Sequence, residues 1–379
     1  GTVSDENGKF ILFSNQVIDS LRISYIGYQT LCISTQLGTN NQRFYLKKQS
    51  SVLPEIRIVA GESSANRIVR LVQQHIKENN PYYYPSYTVK QYAKTFFSSE
   101  IVNDSLAEII FLDTINALFG NKELYSMLKR QHFFLSESVM ERNYKFQGKK
   151  NDRLLASKIS GFNDPFFQIL FTQMQSFSFY DEKYMLFYNT FKNPLSDKNF
   201  SFYFFYLEDT AVIGNDTLFT ISFKPLKNKK FEAITGYMVI HSGDWAVEHV
   251  VAAPVINTSI LSFITEQHYE KIDGKYWFPV LTSSKLNIKT FGSSLPVTSY
   301  TSIKNKEIHI GIPLKNRQFI NDEIYIDSPE TYKQKSDSIL AIYRDAPISP
   351  KDEHTYIFWD TVKKDINIDE SIFALKTLA

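Results

Sequence analysis

The sequence has little cysteine, no excess of charge of either sign and no long apolar run. Among its 379 residues there is one cysteine, and 42 basic residues are balanced by 40 acidic ones. Cys32 alone cannot form an internal disulfide, which excludes a disulfide-stapled scaffold. Balanced charge provides no field that attracts phosphate backbones, so we expect no nucleic-acid partner. No stretch approaches the roughly 20 apolar residues of a membrane helix, so we expect no transmembrane segment.

Aromatic residues are abundant, with 31 Phe and 23 Tyr, while glycine and proline are ordinary in number. Large flat side chains pack well on the pleated surface of a sheet. The composition therefore predicts a mainly β fold of the α+β class.

The patterning changes twice along the chain. Short strand-like runs separated by tight turns fill residues 1–60 and predict part of an antiparallel sandwich. A helix follows, capped by Ser63 or Ser64, with Ile68, Val72 and Ile76 on one face. We therefore predict a second, β-rich domain over residues 61–318. Residues 319–379 are charged and helical in pattern, which predicts a tail or linker.

Strand patterns dominate the second domain, with hairpin-length connections such as Asp273-Gly274 between them. They predict an antiparallel meander with strands over residues 133–146, 155–160, 200–206, 218–224, 236–241, 246–252, 262–272, 282–288 and 298–304. Helical patterns predict further helices over residues 105–119, 122–130 and 165–175.

Three motifs occur in order near the N-terminus: residues 2–10 (TVSDENGKF), 24–30 (SYIGYQT) and 53–56 (LPEI). They resemble the carboxypeptidase-regulatory-like domain, a transthyretin-like β-sandwich. The part of that pattern that precedes these motifs is missing, so the resemblance implies a partial sandwich over residues 1–60.

Much of residues 60–320 resembles an uncharacterised outer-membrane protein family in which this module precedes a β-rich region and a membrane β-barrel. The segments 236–247 and 273–279 (DGKYWFP) are also similar to hairpins of lipoprotein-carrier-type half-barrels, where a curved antiparallel sheet wraps around helices. The resemblance implies a periplasmic or outer-membrane-associated protein of a Gram-negative cell. Its implied partners are an outer-membrane barrel or another envelope protein, and possibly a lipid.

His241, Asp244 and His249 surround one predicted hairpin and form the best metal-like grouping in the sequence. Cross-strand neighbours lie about 5 Å apart, which is close enough to share an ion. Ordinary polar residues on a surface hairpin are the favoured interpretation, since no third ligand from another element is apparent, and we expect no metal site.

Several aromatic runs offer faces for a lipid or a sugar, and Phe166, Phe167, Phe202 and Phe204 are the candidates. The favoured interpretation is that they belong to the core. Continuous apolar character over residues 200–206 predicts a strand covered on both faces. If a ligand cavity exists, the resemblance to lipoprotein carriers implies acyl chains.

Asp-(Ser/Thr)-apolar triplets recur seven times and are similar to the acceptor motif of a bacterial periplasmic O-glycosylation system. The candidate acceptors include Ser105, Thr210 and Thr217. The alternative is that Asp, Ser and Thr are frequent in turns and caps.

Motifs of catalysis are missing from the sequence: there is no Gly-x-Ser-x-Gly elbow, no His-Glu-x-x-His and no phosphate-binding glycine loop. We therefore expect no enzyme and no cofactor, and predict a non-catalytic envelope module that acts by binding or scaffolding. The alternative is a hydrolase or carbohydrate-active enzyme with an accessory sandwich.

Overall fold

The architecture was analysed on a computed structural model. It describes residues 10, 20–23, 28, 31–34, 42–47, 63–98, 130–161, 178–186, 189–213, 216–227, 231–255, 261–290, 293–315, 319, 325–326 and 329–362.

One large sheet of twelve strands dominates the fold, and the mainly β prediction is confirmed. Its strands are β3 (Ser86–Phe97), β4 (Phe134–Lys145), β5 (Lys149–Gly161), β8 (Tyr203–Ile213), β9 (Asp216–Pro225), β10 (Ile234–His241), β11 (Ala246–Pro254), β12 (Leu261–Ile272), β13 (Tyr276–Thr290), β14 (Ser293–Ser302), β15 (Ile308–Ile310) and β16 (Tyr325–Ile326). Two small hairpins lie outside it: β1 (Ser20–Ile23) with β2 (Leu31–Ser34), and β6 (Lys183–Leu186) with β7 (Asn189–Lys192).

The strand order in the large sheet is β16-β5-β4-β3-β14-β13-β12-β11-β10-β9-β8, and β15 also pairs with β3. From β8 to β14 each strand pairs antiparallel with the next one along the chain, which is the predicted meander. The meander joins the β3–β5 unit through the pairing of β14 with β3.

Two of the hairpin turns have their cause in the local sequence. Asp273 and Gly274 both have positive φ, at 51° and 65°, and Gln147 and Gly148 do as well, at 77° and 80°. Two successive residues with positive φ form a type I′ turn, whose twist matches that of the flanking strands.

The first helix, α1 (Ser64–Gln74), is followed by a short α2 (Ile76–Asn79). The Ser63 side chain accepts a hydrogen bond from the Asn66 amide at 3.2 Å, so the predicted cap is confirmed. Val69 and Val72 are fully buried in the main apolar core, which extends to strands β3, β4 and β8–β14. The helix thus lies across one face of the sheet.

Two C-terminal helices, α3 (Pro329–Tyr343) and α4 (Pro350–Val362), occupy the region predicted as a helical tail. They pack on β3, β4 and β5. Leu340 is fully buried against Tyr92 and Val139, and Trp359 joins the main core. No helix within the described ranges is long and apolar enough to cross a membrane.

Most predicted strands of the second domain are confirmed, with ends that differ by a few residues. The prediction over residues 200–206 was partly wrong: Phe200–Phe202 form a 3-10 turn, and the strand begins at Tyr203. Tyr203 and Phe205 are buried, whereas Tyr206 is 37% exposed, so this strand is covered on one face rather than both. β3 was not predicted at all.

The helices predicted over residues 105–119 and 165–175 lie outside the described residues, as does the one over 122–130 except for Arg130, which is in a turn. In the predicted sandwich of residues 1–60, the β1–β2 hairpin is described, and the partial sandwich stays a prediction.

Candidate functional site

Three donor side chains converge where β11 meets β12. His249 lies directly opposite His268 in the antiparallel register, and Glu266 is two residues before His268 on the same face of its strand. The Nε2 atoms of His249 and His268 lie 2.7 Å and 2.9 Å from the same oxygen, Oε1 of Glu266. This His-Glu-His cluster is therefore built from one cross-strand pair and its diagonal neighbour.

The two imidazole rings of the cluster are stacked, with centroids 4.1 Å apart and planes within 6° of parallel. The rings of His249 and of Tyr237 on β10 are nearly perpendicular, with centroids 5.7 Å apart. His249 is fully buried and Glu266 is 5% exposed, whereas 21% of the His268 side chain is exposed. Solvent therefore reaches the cluster from the His268 side.

The Glu266 carboxylate is stabilised in its charged form despite its burial. Burial raises the pKa of Glu266, but hydrogen bonds and charge from His249 and His268 lower it by more. The net pKa therefore lies well below the ordinary value. The cluster thus presents an anionic oxygen between two imidazoles.

The predicted metal grouping is not brought together. His241 lies 3.6 Å from Asp216, and its ring faces Trp277. The Asp244 carboxylate forms an ion pair with Lys271 at 2.6 Å and accepts a hydrogen bond from the Trp277 indole at 3.0 Å. His249 instead joins Glu266 and His268, because the register of β11 with β12 determines its neighbours.

The candidate ligand-binding aromatics have ordinary packing partners where they are described. Phe202 is partly buried against the main core, with the ring of Phe231 at 5.4 Å and the Lys192 ammonium at 4.2 Å. Phe204 is half-buried, with the Lys224 ammonium 5.9 Å from its ring. Phe166 and Phe167 lie outside the described residues.

The second half of β8 stays paired with β9 and is exposed to solvent. In the strand order of the described chain, β8 is terminal and pairs with β9 alone. Residues 208–212 are all exposed, and Val212 is 75% exposed. Since successive strand side chains point to opposite faces, five consecutive exposed residues mean that neither face is covered. We call residues 208–212 the β8 arm.

Two of the candidate glycosylation acceptors lie at the β8–β9 hairpin. Thr210 is exposed within the β8 arm, and Thr217 on β9 is half-buried, with its amide bonded to Ser242. Ser105 lies outside the described residues. Glycosylation of these positions stays a prediction.

Comparison with known proteins identifies a family model that matches this chain. The model described as "Family of unknown function (DUF5686)" matches residues 68–306, more than half of the chain. This range includes α1 from Ile68 onward, the His-Glu-His cluster and the β8 arm. No curated protein matches the sequence.

Solved structures give weak likenesses. A DUF1329 family protein from Desulfovibrio piger is 6% identical at a TM-score of 0.28, covering 69% of this chain and 99% of that one. MucB in the Pseudomonas aeruginosa MucA/MucB complex is 8% identical at a TM-score of 0.18, covering 66% and 100%. These TM-scores are too low to show a common fold.

Proposed function

The chain belongs to this DUF5686 family of unknown function, and we propose that it is a non-catalytic binding module of the Gram-negative cell envelope that docks an extended segment of another envelope protein. The observation that carries the proposal is the β8 arm, which has a ladder partner on one side in the described chain and exposure on both faces. The envelope location is supported by the sequence resemblance to outer-membrane proteins.

An edge strand offers a row of backbone donors and acceptors to an added strand. Natural proteins commonly protect such an edge with a bulge, a charge or a covering element. Here a register shift falls between Leu207 and Asp209, at the start of the arm, and Glu208 and Asp209 are both exposed. The two carboxylates disfavour self-association, because two acidic arms repel, and favour a partner strand that carries Lys or Arg.

The aromatic interior supports protein binding over lipid binding. Phe205 and Phe223 are fully buried in the main core, and Phe202 packs against the same core. These rings are engaged in stabilising the sheet, so the described part of the chain offers its exposed backbone edge more readily than an apolar face.

Site-specific photo-crosslinking tests this proposal. A photoreactive amino acid is placed at Val212 in the full chain expressed in its host envelope, and the crosslinked peptide is identified by mass spectrometry. The matched control is Ile357 on α4, an apolar residue that is 60% exposed on another element. The peptide is then synthesised and added to the purified protein, and amide hydrogen exchange is measured.

We expect crosslinking at Val212 but not at Ile357, and protection from exchange concentrated on β8 when the peptide binds. Equal crosslinking at both positions, protection elsewhere, or recovery of acyl lipid alone would overturn the proposal.

A further inference from the structure

We infer that His249, Glu266 and His268 form a binding site for a divalent transition-metal ion of the Zn²⁺ type. The three side chains offer two imidazole nitrogens and one carboxylate oxygen, and these atoms all lie within 4.8 Å of one another. Two histidines and one carboxylate are a donor set used by zinc and non-haem iron sites.

The separations between donors fit one ion after a small adjustment. Around a tetrahedral ion at about 2.1 Å from each ligand, donor atoms lie roughly 3.4 Å apart. Glu266 Oε1 already lies 2.7 Å and 2.9 Å from the two Nε2 atoms. To reach that spacing, the two oxygen–nitrogen separations widen by about 0.5–0.7 Å, and the widest separation, at most 4.8 Å, closes by up to about 1.4 Å as the stacked rings tilt toward each other.

The scaffold beneath the site is rigid. β11 and β12 are interior strands of the sheet, with β10 and β13 on their outer sides. The backbone positions of the three ligands are therefore fixed by ladder hydrogen bonds in three neighbouring strand pairs. Sites on paired strands hold their ligands more precisely than sites on loops.

The donor types and the charge determine which ion fits. Imidazole nitrogens suit Zn²⁺ and its neighbours in the first transition row, whereas Mg²⁺ and Ca²⁺ prefer sites made of oxygens. The Glu266 carboxylate supplies one negative charge at a buried position. Three protein ligands leave a coordination position open, and the partly exposed His268 lies on the side from which water enters.

A purely structural cluster, held by hydrogen bonds alone, is the competing explanation. It predicts that Zn²⁺ adds nothing to the folded protein. The two explanations therefore separate in a direct binding experiment.

The test is equilibrium dialysis of the full chain, without a polyhistidine tag and stripped with EDTA, against ZnCl₂ in buffer that contains millimolar Mg²⁺. Bound zinc is measured by elemental mass spectrometry. The variants are His268→Ala and Glu266→Gln, and the control is His309→Ala, an exposed histidine on β15. Thermal unfolding with and without ZnCl₂ is measured for each protein.

We expect one equivalent of zinc in the wild type and in His309→Ala, and at least about tenfold weaker binding in His268→Ala and Glu266→Gln. Zinc should raise the melting temperature of the wild type and of His309→Ala, but not that of His268→Ala or Glu266→Gln. Because His268 is partly exposed, its alanine variant is expected to fold even if Glu266→Gln does not. Wild-type protein that takes up no zinc, or equal uptake by His268→Ala and His309→Ala, would overturn the inference.

Discussion

Arg344, which follows α3, donates two parallel hydrogen bonds of 2.7 Å to the carboxylate of Glu137 on β4. Glu137 is 2% exposed, and it also accepts hydrogen bonds from the hydroxyls of Tyr92 and Tyr356. A charge this deeply buried is tolerated because four donors satisfy it. These bonds hold the segment between α3 and α4 against β4.

Replacing Arg344 with alanine should destabilise the protein strongly. The change leaves the Glu137 carboxylate buried without its counter-ion, and breaking one side of a buried pair costs about 3–5 kcal/mol. Urea unfolding measures the change in free energy.

Lys198→Ala is the control, because the Lys198–Glu182 pair is largely exposed, with 78% and 50% of the two side chains accessible. Removing it should cost less than about 1 kcal/mol. Similar unfolding midpoints for the two variants would show that the Glu137–Arg344 pair does not stabilise the packing of the C-terminal helices on the sheet.

Two buried carboxyls should make stability fall as the pH is lowered from about 5 toward 3. Burial raises the pKa of Glu137, but hydrogen bonds from Arg344, Tyr92 and Tyr356 outweigh it, and the net pKa is lowered. Burial likewise opposes ionisation of Asp352, yet His132 and Lys94 lower its pKa below the ordinary value. A carboxyl whose pKa is lower when folded stabilises the protein above its unfolded pKa and loses that contribution as the pH falls toward the folded value.

Unfolding free energies at pH 7, 5 and 3 measure this dependence, and Asp352→Asn is the informative variant. It should be less stable than the wild type at pH 7, because Lys94 loses its partner at 2.5 Å. Its stability should also decline less between pH 5 and pH 3. If the variant loses as much unfolding free energy between pH 5 and pH 3 as the wild type, Asp352 does not contribute to the pH dependence.

Gly236 on β10 has no room for a side chain. A Cβ there would lie 1.9 Å from the carbonyl oxygen of Val251 on β11. Because that atom belongs to a paired strand, Gly236→Ala should displace backbone at an interior strand pair and cost about 3 kcal/mol.

The matched control is Gly148→Ala, at a glycine with a φ of 80° and no heavy atom within 4 Å of the added carbon. It should cost about 1 kcal/mol, from backbone conformation alone. Thermal or urea unfolding compares the two variants, and a smaller loss in Gly236→Ala would contradict the close approach.

The sequence predicted the meander well because its signals are local. Alternating side chains and the Asp273-Gly274 turn identify the β12–β13 hairpin from adjacent residues alone. β3 carries polar residues such as Lys90, Gln91 and Lys94 within its twelve positions, which obscured its strand pattern. The burial of Leu340 was equally invisible, since it depends on a surface formed by β3–β5.

The His-Glu-His cluster depends on register, which the sequence does not specify over a connection of that length. His249 and His268 are nineteen positions apart and meet because Val250 pairs with Gln267. A shift by one residue would turn either ring to the opposite face of its strand. The signal that was available is the sequence Glu266-Gln267-His268, whose outer members share one face of a strand.

The place of β3 in the sheet affects how the chain is made. One edge of β3 pairs with β4, about forty residues later, but the other pairs with β14, where Phe97 meets Val297 two hundred residues downstream. At about 5–20 residues per second, translation needs roughly 10–40 s to supply that second neighbour. Until then the growing chain carries β3–β5 with the second edge of β3 unpaired. An unpaired strand edge favours aggregation until its non-local partner is available. The order of the strands therefore predicts slow assembly of the sheet.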